Sequence, residues 1–400
     1  MKILIITQRC PYPPNKGEKI RTFHQLKFLN ECGHDVILAS PYENDAEKKH
    51  FTELRKYHCF KVVSAKLPAK PVRLMLGIIK NKALSISNFY SAKLQSKIDD
   101  ILVSQDIDVI FCSASSVSEY VFRSKVHATL NKPATLIMDF MDVDSDKWAQ
   151  YKKSHQWPLS LIYARESRLI ANVEANVVKE FDHCLLITQT EVDLFQKIHG
   201  NVKNLTAIEN GLDTDMFYPP TNLRQTVNPY FLFAGVMDYA PNIDAVMWFI
   251  DWVWPTVINK WPSAKFCIAG MNPTEKIKKL QLKEGIEVTG FVDDIKPCFD
   301  KANIFIAPFR IARGVQNKVL QAFACGLPVI ATSMGAEGIR YNADKDILLA
   351  DTPEQYIDKI TLLINNEERY LALSNNALNT IAENYSWDSI LAPLATLLKP

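Results

Sequence analysis

Residues 308–331 read PFRIARGVQNKVLQAFACGLPVIA, and this stretch decides the fold. It follows the apolar run Ile304–Ala307 and passes through a loop holding Gly314. It then enters the short amphipathic run Asn317–Cys325, turns at Gly326-Leu327-Pro328, and ends on Val329–Ala331. A continuous apolar run, a helix-period segment and a second apolar run predict a strand–helix–strand unit of a parallel sheet covered on both faces. Gly314 lets the backbone approach a ligand, and the first N–H groups of the following helix are donors suited to an anion. Arg310, Arg313 and Lys318 add three positive charges with no acidic residue between them. The combination predicts a cradle for a diphosphate, the plain alternative being a surface turn with solvated cations.

The same alternation runs outward in both directions. Ile3–Ile6, Val36–Ala39, Val109–Cys112, Ala134–Met138 and Cys184–Ile187 read as buried strands, with helix spacing over Lys19–Asn30, Ser91–Leu102 and Ser160–Glu180. The pattern restarts with Tyr230–Ala234, Lys265–Ala269, Glu287–Val288, Ile304–Ala307, Val329–Ala331 and Ile347–Leu349. Helices are predicted there over Asn242–Trp254, Asn317–Cys325 and Pro353–Ile364. Two such series predict an α/β chain of two doubly wound domains. Pro219-Pro220-Thr221-Asn222 interrupts both periods and places the boundary. Residues 1–220 then form the first domain and 223–386 the second, with a last helix at 387–400 returning to the first. Sheets of this kind bind ligands outside the carboxyl ends of their strands. The ligand is therefore expected in the cleft that the two domains face across.

Composition narrows the function. The 400 residues are 48% hydrophobic and 22% charged, which excludes disorder as the main state. A net charge of +2 argues against a nucleic-acid partner. No run approaches the ~18 apolar residues of a membrane span, and the apolar run Ile3–Ile6 is shorter than the ~7–15 residues of a secretion signal. The eight cysteines are scattered without a Cys-x-x-Cys pair, which predicts a reduced, cytoplasmic protein with no structural metal. One stretch stands apart. From Leu54 to Ile98 there are ten Lys or Arg residues and no Asp or Glu, and within it residues 71–82 read PVRLMLGIIKNK. An apolar and cationic segment of this kind suits the surface of an anionic membrane. The alternative is a buried helix with its lysines in water.

Other loops that follow strands offer candidates. Gln8–Arg21 is stiffened by prolines and carries Gly17 at a helix start, with Lys16, Lys19 and Arg21 adding charge. Asp139, Asp142, Asp144 and Asp146 crowd the end of the strand at 134–138. Asp144 and Asp146 look like helix-capping residues, whereas Asp139 and Asp142 stand nearer the strand end and the cleft. Glu209-Asn210-Gly211-Leu212-Asp213 reads as a turn with an Asx hydrogen bond from Asp213. Gly235, after the strand at 230–234, again permits close approach, and Pro241 suits a first helical turn.

With these residues in view the chain resembles glycosyltransferase family 4, of the GT-B fold. The resemblance covers essentially the whole length and rests on Gly211-Leu212-Asp213 with Phe217 and Pro219, Phe231–Gly235, Gly290-Phe291-Val292 and Ala322–Ala331. It is more similar still to the sugar transferases associated with PEP-CTERM/exosortase systems of exopolysaccharide-producing bacteria. The matching segments there are residues 11–17, 138–148, 237–242 and 312–320.

The resemblance implies retaining transfer from a nucleotide-diphosphate sugar, without a metal or other cofactor, to a glycan or polyprenyl-linked acceptor. The cysteine pattern places such a protein in the cytoplasm, and the basic run from Leu54 to Ile98 suggests a peripheral place on the inner membrane face. Gly17 and Gly235 would frame the donor phosphates, Gly314, Lys318 and Arg313 would hold them with Arg310 in support, and Phe291 and Val292 would flank the base. Gln321 would meet the ribose, and Asp142 the reacting or accepting hydroxyl. The wider family often has two glutamates eight apart where this chain has Arg313 and Gln321, and a basic residue where it has Val236. Two other readings stay open: a GT-B scaffold that binds nucleotide or glycan as a regulator without turnover, and a sugar-nucleotide epimerase.

Overall fold

The computed structural model describes residues 1–400 apart from 16, 58–60, 128–132, 222–227, 312–314 and 399–400, and apart from the side chains at 56, 57 and 154. The strands are β1 (Lys2–Thr7), β2 (Asp35–Tyr42), β3 (Lys61–Lys66), β4 (Val109–Ser113), β5 (Thr135–Met141), β6 (His183–Leu186), β7 (Leu205–Ala207), β8 (Tyr230–Ala234), β9 (Lys265–Ala269), β10 (Ile286–Gly290), β11 (Ile304–Ala307), β12 (Val329–Ala331) and β13 (Leu348–Leu349). The helices are α1 (Gly17–Glu31), α2 (Asp45–Tyr57), α3 (Lys70–Ile79), α4 (Leu84–Asn88), α5 (Ala92–Ser104), α6 (Glu119–Phe122), α7 (Asp144–Ser154), α8 (Leu159–Glu180), α9 (Gln189–His199), α10 (Ala240–Trp252), α11 (Trp254–Lys260), α12 (Glu275–Lys278), α13 (Lys296–Lys301), α14 (Asn317–Ala324), α15 (Pro353–Asn365), α16 (Glu367–Asn384) and α17 (Trp387–Leu397).

The chain divides into two compact units, Met1–Asn210 with Ile390–Pro400, and Gly211–Ser389. The first holds a seven-stranded sheet in the order β3-β2-β1-β4-β5-β6-β7, with every pair parallel. Ile3 pairs with Val36 on one side and Val109 on the other. Ile3, Leu4 and Ile5 are fully buried although successive side chains point to opposite faces, because helices cover both. The chain winds outward from β1 to β3 and returns on the far side of β1. That reversal opens a gap at the carboxyl ends of β1 and β4.

The second unit repeats the plan with a six-stranded sheet, β10-β9-β8-β11-β12-β13, whose reversal lies between β8 and β11. Its core is aromatic: Phe231, Phe233, Phe249, Phe266 and Phe305 are fully buried, and the Phe249 and Phe266 rings lie 4.9 Å apart between centroids. Losing one such ring costs roughly 3–5 kcal/mol. The unit begins at Gly211, ahead of the Pro219-Pro220 pair. The Leu212 amide donates to the Tyr385 carbonyl at 2.7 Å, and Phe217 packs edge-on against Phe299. A Cβ on Gly211 would come within 2.6 Å of the Trp387 ring, so the start of α17 closes onto this turn. From Ile390 onward α17 groups with the first unit. The segment after Glu209 is the expected Asx turn, since Asp213 Oδ1 accepts from the amides of Asp215 and Met216 at 3.0 and 3.1 Å.

Candidate functional site

The reversal point of the second sheet carries a cavity of ≈ 640 Å³, within the usual size of a small-molecule site. Gly235 follows β8 and Gly270 follows β9. Their backbones touch: the Gly235 amide donates to the Ala269 carbonyl at 2.9 Å, and a Cβ on Gly270, at φ +144°, would lie 1.7 Å from the Gly235 carbonyl oxygen. Neither position has room for a side chain, and the floor of the cavity is bare backbone as a result. Two helices begin at its rim. α10 starts beyond Tyr239 with Pro241 in its first turn, and α14 starts beyond Gln316. Among the described residues neither N-cap side chain accepts from the first turn, which leaves the positive ends of two helices directed at one cavity.

Lys318 and Gln321 stand three apart on α14 and so share a face, and both line the cavity. The opposite face of the helix buries Val319, Leu320, Ala322 and Phe323. Lys318 Nζ donates to Asn242 Oδ1 at 2.8 Å and lies 4.5 Å from the centre of the Phe309 ring. The Asn242 amide is itself fixed, because its Nδ2 donates to the Val236 carbonyl at 2.8 Å. Among the described residues Lys318 makes no ion pair. Burial alone lowers its pKa from 10.5 to about 8. A cation held in a cavity by a neutral amide and two phenyl faces is short of an anion.

The other expected positions fall in three groups. Arg313 and Gly314 lie outside the described residues. Phe291 and Val292 follow β10 and do not line the cavity, Phe291 being 67% exposed. Arg310 also stands outside the lining. Its guanidinium pairs with Asp244 of α10, Nε to Oδ2 at 3.1 Å, and the second nitrogen bonds Oδ1. The loop is therefore not a set of cations without an acid. The acid arrives from another helix, which no local reading of residues 308–331 shows.

Gly17 and Asp142 belong to the first unit. Gly17 opens α1, with nothing within 4 Å of a Cβ built on it. Its neighbour Lys19 lines a depression of ≈ 20 Å³ at the carboxyl ends of β1 and β4, together with Thr7, Ser113 and Met141. Asp142 is the exposed residue after β5. Its pKa is raised, first by partial burial and then by the charge of Asp144. Asp144 and Asp146 sit in the first turn of α7 but do not cap it. The amides of Val143 and Ser145 donate instead to Glu191 and Glu174 at 2.8 and 2.9 Å.

Asp139 and Arg21 correct the reading of these loops. Asp139 is fully buried and Arg21 is 1% exposed. Arg21 Nε donates to Asp139 Oδ2 at 2.7 Å, and its Nη1 donates to the carbonyls of Ile208 and Glu209 and to Asn210 Oδ1. Gln25 donates to the same carboxylate at 2.6 Å. Each charge is fully partnered, so the pair ties α1 to β5 and to the segment after β7 and has nothing to offer a ligand.

Within the basic stretch 54–98, α3 is not a buried helix with lysines outward. Its buried residues are Arg73 and Gly77, while Met75, Ile78 and Ile79 are 55%, 61% and 70% exposed. Among the described residues no helix is long and apolar enough to cross a membrane.

Sequence reasoning missed Asn242 and Gly270. Asn242 stands beside Pro241 at a helix start, where an Asn is unremarked, and only the fold brings it to Lys318. Gly270 carried a signal, a glycine ending the strand beside the one that ends at Gly235.

Residues 228–366 match the family described as Glycosyl transferases group 1. A 44.6 kDa Klebsiella pneumoniae protein of the cps region, described as uncharacterised, is 24% identical over 98% of this chain and 98% of its own length. Among solved structures, a glycosyltransferase from Rickettsia africae superposes with a TM-score of 0.60 at 14% identity, covering 100% of this chain and 97% of its own. The Anabaena protein HepE in complex with UDP does so with a TM-score of 0.56 at 14% identity, covering 100% and 99%. These likenesses show the fold, which is GT-B, built of two Rossmann-like units.

Proposed function

We propose that this protein is a glycosyltransferase that moves a sugar from a nucleoside diphosphate donor to a lipid-linked or exopolysaccharide acceptor. The observation that carries the reading is Lys318, a cation with no carboxylate partner among the described residues, held by Asn242 in a cavity that two helix N-termini face. A diphosphate supplies the missing charge, and group 1 similarity over residues 228–366 supports a sugar as its cargo.

In the proposed reaction the bond between sugar C1 and the β-phosphate oxygen breaks, and its electron pair stays on the phosphate. The acceptor hydroxyl oxygen bonds to C1 on the same face, and its proton passes to the departing diphosphate. Lys318 and the first turns of α10 and α14 stabilise the charge that grows on the leaving group, so the reaction proceeds without a metal. Preorganised donors of this kind are worth about 3–4 kcal/mol each when removed. Gly235 lets the phosphates approach the backbone, and Gln321 bonds the ribose hydroxyls through its amide. By the resemblance, Arg313 and Gly314 complete the phosphate grip with Arg310 in support, and Phe291 and Val292 flank the base. Roles for Gly17 at the donor phosphates and for Asp142 at the reacting or accepting hydroxyl rest on the family resemblance alone.

Membership of family 4 and of its exosortase-associated branch belongs to the same proposal and rests on the sequence segments given above. So does attachment to the cytoplasmic face of a membrane, supported by the basic stretch 54–98 and the exposed apolar residues of α3. HepE is in complex with UDP, which makes a UDP-sugar the first donor to try.

The test is nucleotide release from UDP-, GDP-, dTDP- and ADP-sugars with a lipid extract as acceptor, for the wild type and Lys318→Ala. Release from one donor, dependent on extract and lost in the variant, is expected. Binding of nucleotide without release from any donor would replace the transferase by the regulatory reading, in which Gln321 stands where the wider family has an acid. Release or conversion of donor without extract would favour the epimerase.

A further inference from the structure

A second cavity, of ≈ 260 Å³, lies wholly within the first unit, under α3 and against α4 and α6. It is too small for a nucleotide sugar and large enough for a phosphate group. Among the described residues four cations line it, Arg73, Lys80, Lys82 and Arg123, against one carboxylate, Glu119. Glu119 is already shared, since both Lys82 and Arg123 bond its Oε1. Arg73 is 97% buried by side chain, being 3% exposed, and only its Nη2 is engaged, with Glu43 at 2.6 Å. Its Nε and Nη1 have no hydrogen-bond partner among the described residues. Such a guanidinium edge without an acceptor is costly unless something supplies one.

Leu76 and Ile86 line the cavity as well, and on α3 Met75, Ile78 and Ile79 stand in solvent. Arg165 Nη2 donates to the Lys82 carbonyl at 3.1 Å, and Glu166 accepts from the Leu84 and Ser85 amides at 2.9 and 3.2 Å, which ties the α3–α4 turn to the start of α8. There Leu161 and Ile162 are 62% and 43% exposed. Apolar side chains in water beside a cationic pocket match a molecule with a phosphate at one end and hydrocarbon at the other.

We propose that this cavity binds the phosphate group of a phosphorylated lipid, with the lipid's apolar part lying along the exposed side of α3 and the start of α8. Arg73 supplies two N–H donors, and Lys80 and Lys82 supply charge. A phosphomonoester, with up to two charges and three acceptor oxygens, fits four cations better than a carboxylate does. The inference deepens the acceptor half of the proposed function. Its test uses neither donor nor turnover, so it fails or stands separately from the transferase reading.

The test is flotation of the full chain with phosphatidylcholine vesicles that carry either phosphatidic acid or phosphatidylserine at matched surface charge. About tenfold tighter binding to the phosphatidic acid vesicles is expected. Arg73→Gln removes the preference and keeps the charge-driven part. Lys80→Gln, at an exposed position that leaves the fold untouched, lowers the preference severalfold. Ile78→Ser with Ile79→Ser weakens binding to both vesicles. Equal binding of the wild type to both vesicles, or binding to neither, overturns the proposal. Binding of inorganic pyrophosphate as tightly as phosphatidic acid vesicles, unchanged by the Ile78 and Ile79 substitutions, overturns the choice of a lipid.

Discussion

Arg21 and Lys318 stand at comparable places in the two units, Arg21 on the helix after β1, one strand of its reversal, and Lys318 on the helix after β11, the opposite strand of the other. Each stands in the opening turns of a helix beside the point where its sheet reverses, and each is drawn away from water. Their partners differ. Arg21 meets a buried carboxylate, an amide and two carbonyls, so each of its three nitrogens donates within the protein. Lys318 meets one amide oxygen and aromatic faces. The same burial therefore yields a strut in one unit and a charge awaiting an anion in the other. A buried cation is a candidate ligand contact only when its partners are too few.

Removing the two cations should separate these roles most widely. Arg21→Met leaves Asp139 buried and unpaired and is expected to cost about 3–5 kcal/mol of stability, seen as a lower urea midpoint. Lys318→Met removes a charge that burial already penalises, and its midpoint should shift by no more than about 1 kcal/mol in either direction. Comparable losses for both would erase the contrast.

Gly235→Ala sharpens it from the side of the cavity. Its Cβ would come within 2.7 Å of Asn242 Nδ2 and push away the acceptor of Lys318. Overpacking of this kind costs roughly 1–3 kcal/mol, and nucleoside diphosphate affinity, measured by titration calorimetry, is expected to fall about tenfold. Unchanged affinity would mean that Asn242 does not position Lys318.

The titration of Lys318 gives a third test. Its pKa is lowered to about 8 in the folded chain from 10.5. Between these values the unfolded chain binds more protons, so this residue makes stability rise with pH across that window. Below about 8 both states are protonated and its penalty is fully present. Diphosphate affinity runs the other way, falling as pH rises through about 8, and binding there should take up protons, detectable as a dependence of the heat on the buffer. Lys318→Met should abolish both trends, and their persistence would move the titration to another group.

The smallest effect belongs to Arg310, whose pair with Asp244 is half-exposed. Arg310→Gln is expected to change stability by less than about 1 kcal/mol. A loss of affinity as large as that of Lys318→Met would place Arg310 among the phosphate contacts.

How much of this was legible in the sequence follows from what is local. β8, β9, β11 and β12 match the residues expected because each is a central strand, apolar on both faces. β3 and β7 were missed: both are edge strands, β3 reads KVVSAK and is half-buried, and β7 is three residues long. Their sequences lack a continuous apolar run. Lys318, Gly235 and Gln321 were legible because strand ends and helix starts carry them. Their setting was not, since Asn242 reaches Lys318 across 76 positions and Asp244 reaches Arg310 across 66. Asp139 was misplaced for the same reason: its partner Arg21 is 118 positions away. In α3 the expected pattern is inverted, with Arg73 inside, paired with Glu43 and lining the cavity, and isoleucines outside.

The most direct measurement is calorimetric titration of UDP and of uridine into the wild type and Lys318→Met. UDP should bind the wild type and lose about tenfold or more in the variant, while uridine binds both alike. Equal binding of UDP by both proteins would contradict the assignment of this cavity to the diphosphate.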